Sequence, residues 1–280
     1  MSHHARKLMV EAQLEWKQQR IESFSLVSSS KQKTLFPALN HQTMDESLGP
    51  PVVSAEPALL PPRTPLHGRY SAVVPLQPEH WRAIYRHLGG EQNAWRWKYM
   101  LINGFPCEEA CETTIKAWSA SQDPVYYAVL SGPASDAASE PAGMLAYLSI
   151  VPSHRRIEIG GVILGDVLKH SRAATEAFYL FMKHSFEALG YSRVEWKANK
   201  LNEPSVAAAK RLGFAWEGVF RKHMIVKGRR RDTAWLSMID DDWDAARRGF
   251  DLWLDESNFD ENGKQKRGLR ECRETGADKE

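Results

Sequence analysis

The sequence predicts a mixed α/β (α+β) domain, and three observations predict it. Windows of two-residue alternation and windows of helical spacing are interleaved along residues 66–254. In the middle the strand windows run consecutively: 142–150 and 156–164 are joined through Pro152 and Ser153, and 219–226 and 233–239 turn at Gly228. Consecutive hairpin-like strands among helices exclude a doubly wound sheet. The length, 280 residues, leaves room for one full domain with appendages.

Residues 1–65 read as an N-terminal extension. A charged helix is expected from Ala5 to about Ile21, followed by a polar segment and a proline-rich linker or strapping arm with Pro50, Pro51, Pro57, Pro61, Pro62 and Pro65. From Leu66 the pattern becomes globular. Residues 70–76 alternate as a strand; residues 79–88, 94–101 and 107–119 read as helices; residues 125–130 read as a strand before a small-residue turn at 132–140.

A helix is expected over 174–189, with Phe178, Phe181, Met182, Ser185 and Leu189 at helical spacing and Gly190 to stop it. Residues 193–198 alternate Val194, Trp196 and Ala198 against Arg193, Glu195 and Lys197, the mark of a half-buried strand. A short helix follows over 202–212, with Asn202 placed to cap it, Pro204 in its first turn and Gly213 at its end. Residues 243–254 form a last amphipathic helix. The organisation expected is therefore an extension over 1–65, a domain over 66–240, a C-terminal helix over 241–254, and a disordered, charged tail over 255–280.

Hydrophobic residues make up 42% and charged residues 26%, with a net charge of +2. That balance argues against a general nucleic-acid binder. Three cysteines, Cys107, Cys111 and Cys272, make no disulfide framework, and no further ligands at suitable spacing turn Cys107 and Cys111 into a metal site. No apolar run has the length of a membrane span, and Glu11, Glu15 and Lys17 interrupt any secretory signal. The expected location is the cytoplasm; Arg6, Lys7, Lys17 and Arg20 leave mitochondrial import open, against the acids Glu11, Glu15 and Glu22.

Three pieces carry the chemistry. The first is the strand Ile157-Glu158-Ile159-Gly160-Gly161. The second is Lys169-His170-Ser171-Arg172-Ala173-Ala174-Thr175-Glu176-Ala177. The third is Asn202-Glu203-Pro204-Ser205, running into Arg211-Leu212-Gly213-Phe214 and Glu217-Gly218-Val219-Phe220-Arg221. In this order and spacing they resemble the GNAT superfamily of N-acetyltransferases, and most of all its branch of ribosomal-protein N-terminal acetyltransferase-like enzymes; the likeness covers about residues 66–240. It implies a central, mostly antiparallel twisted sheet flanked by helices, with a splayed strand pair. It also implies acetyl transfer from acetyl-coenzyme A to an amine: a protein N-terminus, a lysine or a small amine.

The resemblance places the pantetheine arm in the splay between strands 158–164 and 193–198, against the backbone of Val162, Ile163 and Leu164. The pyrophosphate falls at the helix start formed by Lys169, His170, Ser171, Arg172, Ala173, Ala174 and Thr175. Free N–H groups and the positive dipole end make any helix start receptive to an anion. The family's phosphate loop has glycines where this chain has His170 and Arg172. Glycine lets backbone approach a phosphate, so either side-chain charge from Arg172 compensates or the coenzyme is bound weakly.

Direct transfer needs a base for the amine proton and a donor for the departing thiolate. Glu158 is the candidate base, through water, against the plainer reading of a strand-end carboxylate. Ser205 is the candidate donor, carried over from Asn-x-x-Ser, and Asn202 is expected to hold the pantetheine or its helix; the plainer reading is that both residues only cap that helix. No cysteine falls in the motif set, which disfavours a covalent intermediate. The alternative is a catalytically weakened acyl-coenzyme-binding module with a partner-binding role. His223 is a minor candidate base. The basic run Lys227–Asp232 reads as a solvated turn, with an RNA contact as its alternative. Trp95 and Trp97 are expected near the acceptor side.

Overall fold

The computed structural model describes residues 49–52 and 55–277. The chain divides into two units, Met1–Ser54 and Ala55–Glu280. Of the first, only residues 49–52 are described, and they carry no helix or strand. The expected N-terminal helix lies outside the described residues.

The second unit is a mixed α/β domain. Eight strands among the described residues form its sheet: β1 (Leu66–His67), β2 (Ala72–Pro75), β3 (Val125–Leu130), β4 (Pro141–Val151), β5 (Arg156–Leu164), β6 (Arg193–Asn199), β7 (Ala215–Val226) and β8 (Arg229–Ile239). Their order is β1-β2-β3-β4-β5-β6-β8-β7. Every neighbouring pair is antiparallel except β5–β6. The helices are α1 (Trp81–Leu88), α2 (Glu108–Ser119), α3 (Arg172–Lys183), α4 (Glu203–Leu212), α5 (Asp240–Leu254) and α6 (Leu269–Ala277).

Alternation sorts the strands between two cores, as a pleated sheet covered on both faces requires. On β3, Tyr127 and Val129 join the larger core while Ala128 joins the smaller; on β4, Leu145 and Tyr147 oppose Met144 in the same way. The smaller core packs Ile84 and Leu88 of α1 and Cys111 and Ile115 of α2. The larger packs α3, α4 and α5, and its centre is a stack of Tyr147 on Phe181, with ring centroids 3.8 Å apart and planes 3° from parallel. On α5, Trp243 stacks on Phe186 and Phe250 on Tyr179, so this helix belongs to the domain core rather than following it.

The expected helix over 174–189 begins earlier, at Arg172, and its last turn, His184–Ala188, widens to a π-helix. Two hydroxyls explain the widening. Tyr147 Oη and Ser185 Oγ both donate to the Phe181 carbonyl, at 2.7 and 2.9 Å, where an α-turn would place only an N–H. The helix expected over 94–101 is instead a 3-10 segment, Glu91–Trp97. There Asn93 Nδ2 donates to the Gly89 carbonyl at 2.8 Å and Asn93 Oδ1 accepts from Arg96 Nε at 2.7 Å, so side-chain bonds compete with the α pattern.

At the N-terminal side, residues 55–65 take the strapping-arm alternative: Ala58 and Leu59 donate their N–H groups to the carbonyls of Pro152 and Leu189 at 3.1 and 2.9 Å, and Tyr127 Oη donates to the Pro62 carbonyl at 2.7 Å. At the other end the expectation is corrected. Residues 255–277 are no disordered tail. Buried Asn258 ties the backbone of Trp253 to that of Arg267, Phe259 bridges to Gln265, and α6 buries Leu269 and Cys272. Those two residues lie three apart on one helix face, and the surrounding charges conceal so short a stripe in the sequence.

The turn between β1 and β2 depends on α3. Glu176, 5% exposed, accepts the N–H groups of Arg69, Tyr70 and Ser71 at 2.9, 2.7 and 2.8 Å. A Cβ on Gly68 would fall 2.3 Å from its Oε2, so glycine is needed for this approach. Replacing Glu176 by Ala orphans three donors, one of them fully buried. We predict a loss of about 3 kcal/mol, measured as a lower urea midpoint at unchanged slope.

Candidate active site

The β5–β6 ladder holds for three pairs only, Arg156↔Arg193, Ile157↔Val194 and Glu158↔Glu195. Beyond them the strands part. On its other side β5 pairs Gly160 with Ala146 and then Ile163 with Met144, so three steps on β5 match two on β4. This bulge contains Gly161 at φ +60. A Cβ there would meet Ala146 at an ordinary 3.5 Å, so the backbone conformation, not crowding, calls for glycine. Two cavities meet at the parting, one of about 590 Å3 and one of about 1050 Å3, and Val162, Ile163, Trp196, Asn202 and Ser205 line both.

The larger cavity runs from the splay along α4 to the residues after α5. In its wall at the start of α3, His170 stands at φ +56, a conformation that favours glycine, whereas Arg172 is already helical. Ser171 caps α3, accepting the Ala174 N–H at 3.0 Å and donating to the Leu168 carbonyl at 2.8 Å. Arg172 projects between two rings, its guanidinium carbon 4.2 Å from the Phe259 centroid and 5.0 Å from that of Tyr70. Arg211 lies over Trp253 and donates to Thr175 Oγ1 at 3.2 Å. Lys169 sits 4.0 Å over Trp95. Five cationic side chains, Arg96, Lys169, Arg172, Arg211 and Lys264, thus line one cavity.

Most of the sequence-predicted binding residues meet here. Val162, Ile163, Leu164, Lys169, His170, Ser171, Arg172, Ala174, Thr175, Asn202 and Ser205 all line it; Ala173 instead turns into the larger core. The Leu164 carbonyl already accepts from Arg96 Nη1 at 3.3 Å, which leaves Val162 and Ile163 as the backbone of the splay itself. Sequence reasoning missed Arg211 and the Gly263–Gln265 loop. Arg211 was quoted only as part of a helix end, and the loop was hidden by the charged composition around it.

The smaller cavity holds Glu158. This carboxylate is 6% exposed, and its Oε2 accepts from Lys197 Nζ at 2.6 Å and Ser149 Oγ at 3.0 Å. Lys197 Nζ also lies 2.8 Å from Glu195 Oε2, Arg193 binds Glu195 at 2.9 Å, and Arg193 grips Glu217 with two bonds of 2.6 Å. The polar face of β6 is therefore covered, a ladder of alternating charge rather than the solvated face expected of a half-buried strand.

Burial pushes the Glu158 carboxyl above the usual carboxylate range, against the pull of Lys197 and Ser149. For Glu195 burial is overcome by Lys197 and Arg193, which hold it low. Arg193, with help from Ser237, takes Glu217 down to about 2.

Ser149, whose hydroxyl steadies Glu158, stands at φ +51 in a bulge of β4. Across the cavity Thr233 Oγ1 receives Arg231 Nε at 3.1 Å and contacts His223 Nδ1 at 3.0 Å. The apolar walls include Met100, Leu101, Ile102, Trp118 and Tyr126, with the last two stacked at 4.5 Å.

Between the cavities Ser205 Oγ accepts from Trp196 Nε1 at 3.0 Å. That bond uses an acceptor lone pair and leaves the hydroxyl proton to give. The Asn202 side chain makes no cap bond, so the expectation that it caps α4 fails. Its backbone sits at φ −88, ψ 67 and its side chain faces both cavities. The two tryptophans expected together are separated: Trp97 lines the smaller cavity and Trp95 the larger. The basic run is divided: Arg230 pairs with Asp232 at 2.7 Å, Lys227 Nζ donates to the Trp97 carbonyl at 2.7 Å, and Arg231 enters the smaller cavity. Among the described residues no cluster of three or more His, Cys, Asp or Glu could hold a metal, and no helix is long and apolar enough to cross a membrane.

Comparison with known proteins follows this geometry. The family described as Acetyltransferase (GNAT) domain matches residues 72–215. The crystal structure of a GCN5-related N-acetyltransferase from Brucella melitensis is 37% identical, with a TM-score of 0.74 over 78% of this chain and 98% of its own. YdaF of Bacillus subtilis (strain 168), for which ribosomal N-acetyltransferase activity is proposed, is 26% identical over 56% of this chain and 84% of its own. An acetyltransferase from Salmonella typhimurium that modifies the N-terminal serine of ribosomal protein L7/L12 shares the fold, at 18% identity and a TM-score of 0.53 over 62% of this chain and 98% of its own.

The ladder around Glu158 yields a titration prediction. In protein labelled with 13C at glutamate carboxyls, Glu158 titrates above its surface counterparts. Lys197→Met removes the strongest pull favouring its ionised form, so the midpoint moves further up. A midpoint that stays put or falls contradicts the ladder.

Proposed function

The chain belongs to the GNAT acetyltransferase family, and from that premise we propose that it moves an acetyl group from acetyl-coenzyme A to a primary amine, most fittingly the α-amine of a polypeptide, by direct transfer. The observation that carries this is the splay, where a cationic cavity and a carboxylate-bearing cavity meet beside Ser205. The polypeptide acceptor draws on the ribosomal N-acetyltransferase activity proposed for YdaF.

The residues fit the co-substrate. The α3 start, with Arg172 and the free N–H groups ahead of Ala174, suits a pyrophosphate. Lys169, Arg211 and Lys264 add charge along the cavity toward the outer phosphate. The backbone of Val162, which has no register partner on β4 or β6, faces the amide-bearing arm. The positive φ of His170 supports a working loop, since the conformation that glycine would allow is present.

In the transfer, the amine nitrogen forms a bond to the thioester carbonyl carbon and the carbon–sulfur bond breaks, giving an amide and a thiolate. Glu158 takes the proton lost by the amine, directly or through one water. Burial suits it to that task by raising its affinity for a proton above that of an ordinary carboxylate. Ser205 donates its hydroxyl proton toward the departing sulfur, while Trp196 fixes the oxygen. No covalent enzyme intermediate is involved: Cys111 and Cys272 are buried, and no cysteine lines either cavity.

The test is calorimetric titration of acetyl-coenzyme A, followed by acetylation of peptide amines. Saturable binding is expected, weakened about tenfold by Arg172→Ala. Glu158→Gln should lower kcat about 100-fold and leave coenzyme affinity near that of the unaltered protein. Absence of binding at millimolar coenzyme would sink the reading.

A further inference from the structure

The acceptor cavity says more than that an amine is bound. Its polar groups are few and are placed at one end. Glu158 uses Oε2 for Lys197 and Ser149, and Oε1 forms no hydrogen bond among the described residues. Gly160 keeps the space beside Oε1 open, since a Cβ there would lie 3.4 Å from it and 2.7 Å from Leu148. Arg231 is half-buried and spends only its Nε, on Thr233; its two terminal nitrogens have no partner among the described residues. Arg231 is also near enough for the Glu158 charge to act on it. A carboxylate and a guanidinium, each with free valence, therefore face the same cavity.

The rest of the cavity is apolar. Met100, Leu101 and Ile102 come from the loop after the 3-10 segment, and Trp118 stacks on Tyr126 at 4.5 Å with planes 7° apart. Lys227 ties the β7–β8 turn to this loop through the Trp97 carbonyl at 2.7 Å, so the two walls are held together. Leu101 is 61% exposed and has no core to serve, so its position is unexplained by folding alone.

We propose that the acceptor is an α-amine whose own carbonyl or carboxylate oxygen is taken by Arg231 and whose side chain is apolar and fills the Met100–Ile102 and Trp118–Tyr126 pocket. This deepens, and rests on, the acetyl-transfer reading. In an α-amino acid unit the amine and the carbonyl oxygen are separated by two carbons, so one such unit presents both groups to Glu158 and Arg231 within the same cavity. A serine-sized side chain would leave the pocket partly empty, and a charged one would be desolvated against aromatic rings. An arylalkylamine would fill the pocket and leave Arg231 unused. The same chemistry is carried by a polypeptide beginning with leucine or phenylalanine and by the free amino acids.

The experiment uses the full chain with saturating acetyl-coenzyme A, whose binding is first established by calorimetry. The acceptors are tetrapeptide amides differing only in the first residue (Leu, Phe, Ser or Asp), free leucine, and phenethylamine. Leu- and Phe-initial peptides should exceed Ser- and Asp-initial ones in kcat/KM by about tenfold or more. Arg231→Gln should raise KM for the Leu-initial peptide about tenfold and for phenethylamine far less. Faster turnover of free leucine than of the Leu-initial peptide also supports the assignment and identifies the free amino acid as the source. Preference for Ser or Asp, or an equal effect of Arg231→Gln on peptide and phenethylamine, overturns it. Coenzyme binding with no α-amine acetylated overturns the acceptor assignment alone; no coenzyme binding overturns the underlying reading and this one with it. The substrate ranking uses unaltered protein, so poor folding of the variant does not rescue the idea.

Discussion

The β5–β6 ladder ends at Glu158 and Glu195, and the rest of the molecule is arranged around that ending. A parallel pair inside a sheet would normally continue, because unpaired backbone groups are costly once buried. Here the Gly161 bulge turns β5 toward β4, and β6 follows β8 through seven register pairs from Arg193 to Asn199. Each strand is satisfied on its outer side, and the inner sides are left for something else. The carbonyl of Leu164, at the far end, is taken by Arg96, which closes the gap where it would otherwise reach the surface. What remains open is a short backbone window with a cavity on either side.

The charge ladder is the second consequence. Where β5 and β6 still touch, their polar side chains share one face, with Glu158, Glu195 and Lys197 largely shut off from water and Arg193 and Glu217 at its solvent end. Glu158, Lys197, Glu195, Arg193 and Glu217 alternate in sign, so each charge has an opposite neighbour. A buried pair broken at one member leaves an uncompensated charge, which is why such ladders are tightly specified. The arrangement also separates two carboxylates chemically. Glu195 has Lys197, Arg193 and, at 3.7 Å, Arg156 about it and stays ionised readily; Glu158 pairs with Lys197 alone, burial outweighs that pull, and it holds its proton more strongly. Of the two, Glu158 is the one suited to exchanging a proton with a ligand.

Much of this was legible in the residues. Strands 125–130 and 156–164 were readable to the residue, since alternation and the flanking turn signals agree there. Glu158, Ser205 and the α3 start were found through motif order. What sequence did not display was anything made by distant contacts. The π turn at His184–Ala188 needs Tyr147 from another strand. The buried polar face of β6 needs Arg193 to meet Glu217 from β7. The ordering of residues 255–277 turns on Asn258, Leu269 and Cys272 among many charges, too few apolar positions to set a period. Arg231, read as part of a basic turn, enters a cavity because strand alternation puts it on the face of Thr233 and Trp235.

The glycine-poor loop shows how a site can keep its geometry while changing its chemistry. A non-glycine residue at positive φ costs about 1 kcal/mol or more, and His170 bears that cost. The strain persists because neighbours fix the loop from both sides: Ser171 bridges Leu168 to Ala174, and Arg172 is clasped by Tyr70 and Phe259. Phe259 belongs to the segment after α5, held in place by Trp253 and Asn258. On the proposed reading, recognition of the phosphates thus shifts from backbone N–H groups alone toward side chains drawn from α3, α4 and the C-terminal loop. The 72–215 family match ends well before that loop. A domain boundary drawn by motif would therefore remove part of the cavity wall, and on the same proposed reading the residues around Lys264 count as binding structure rather than as a tail.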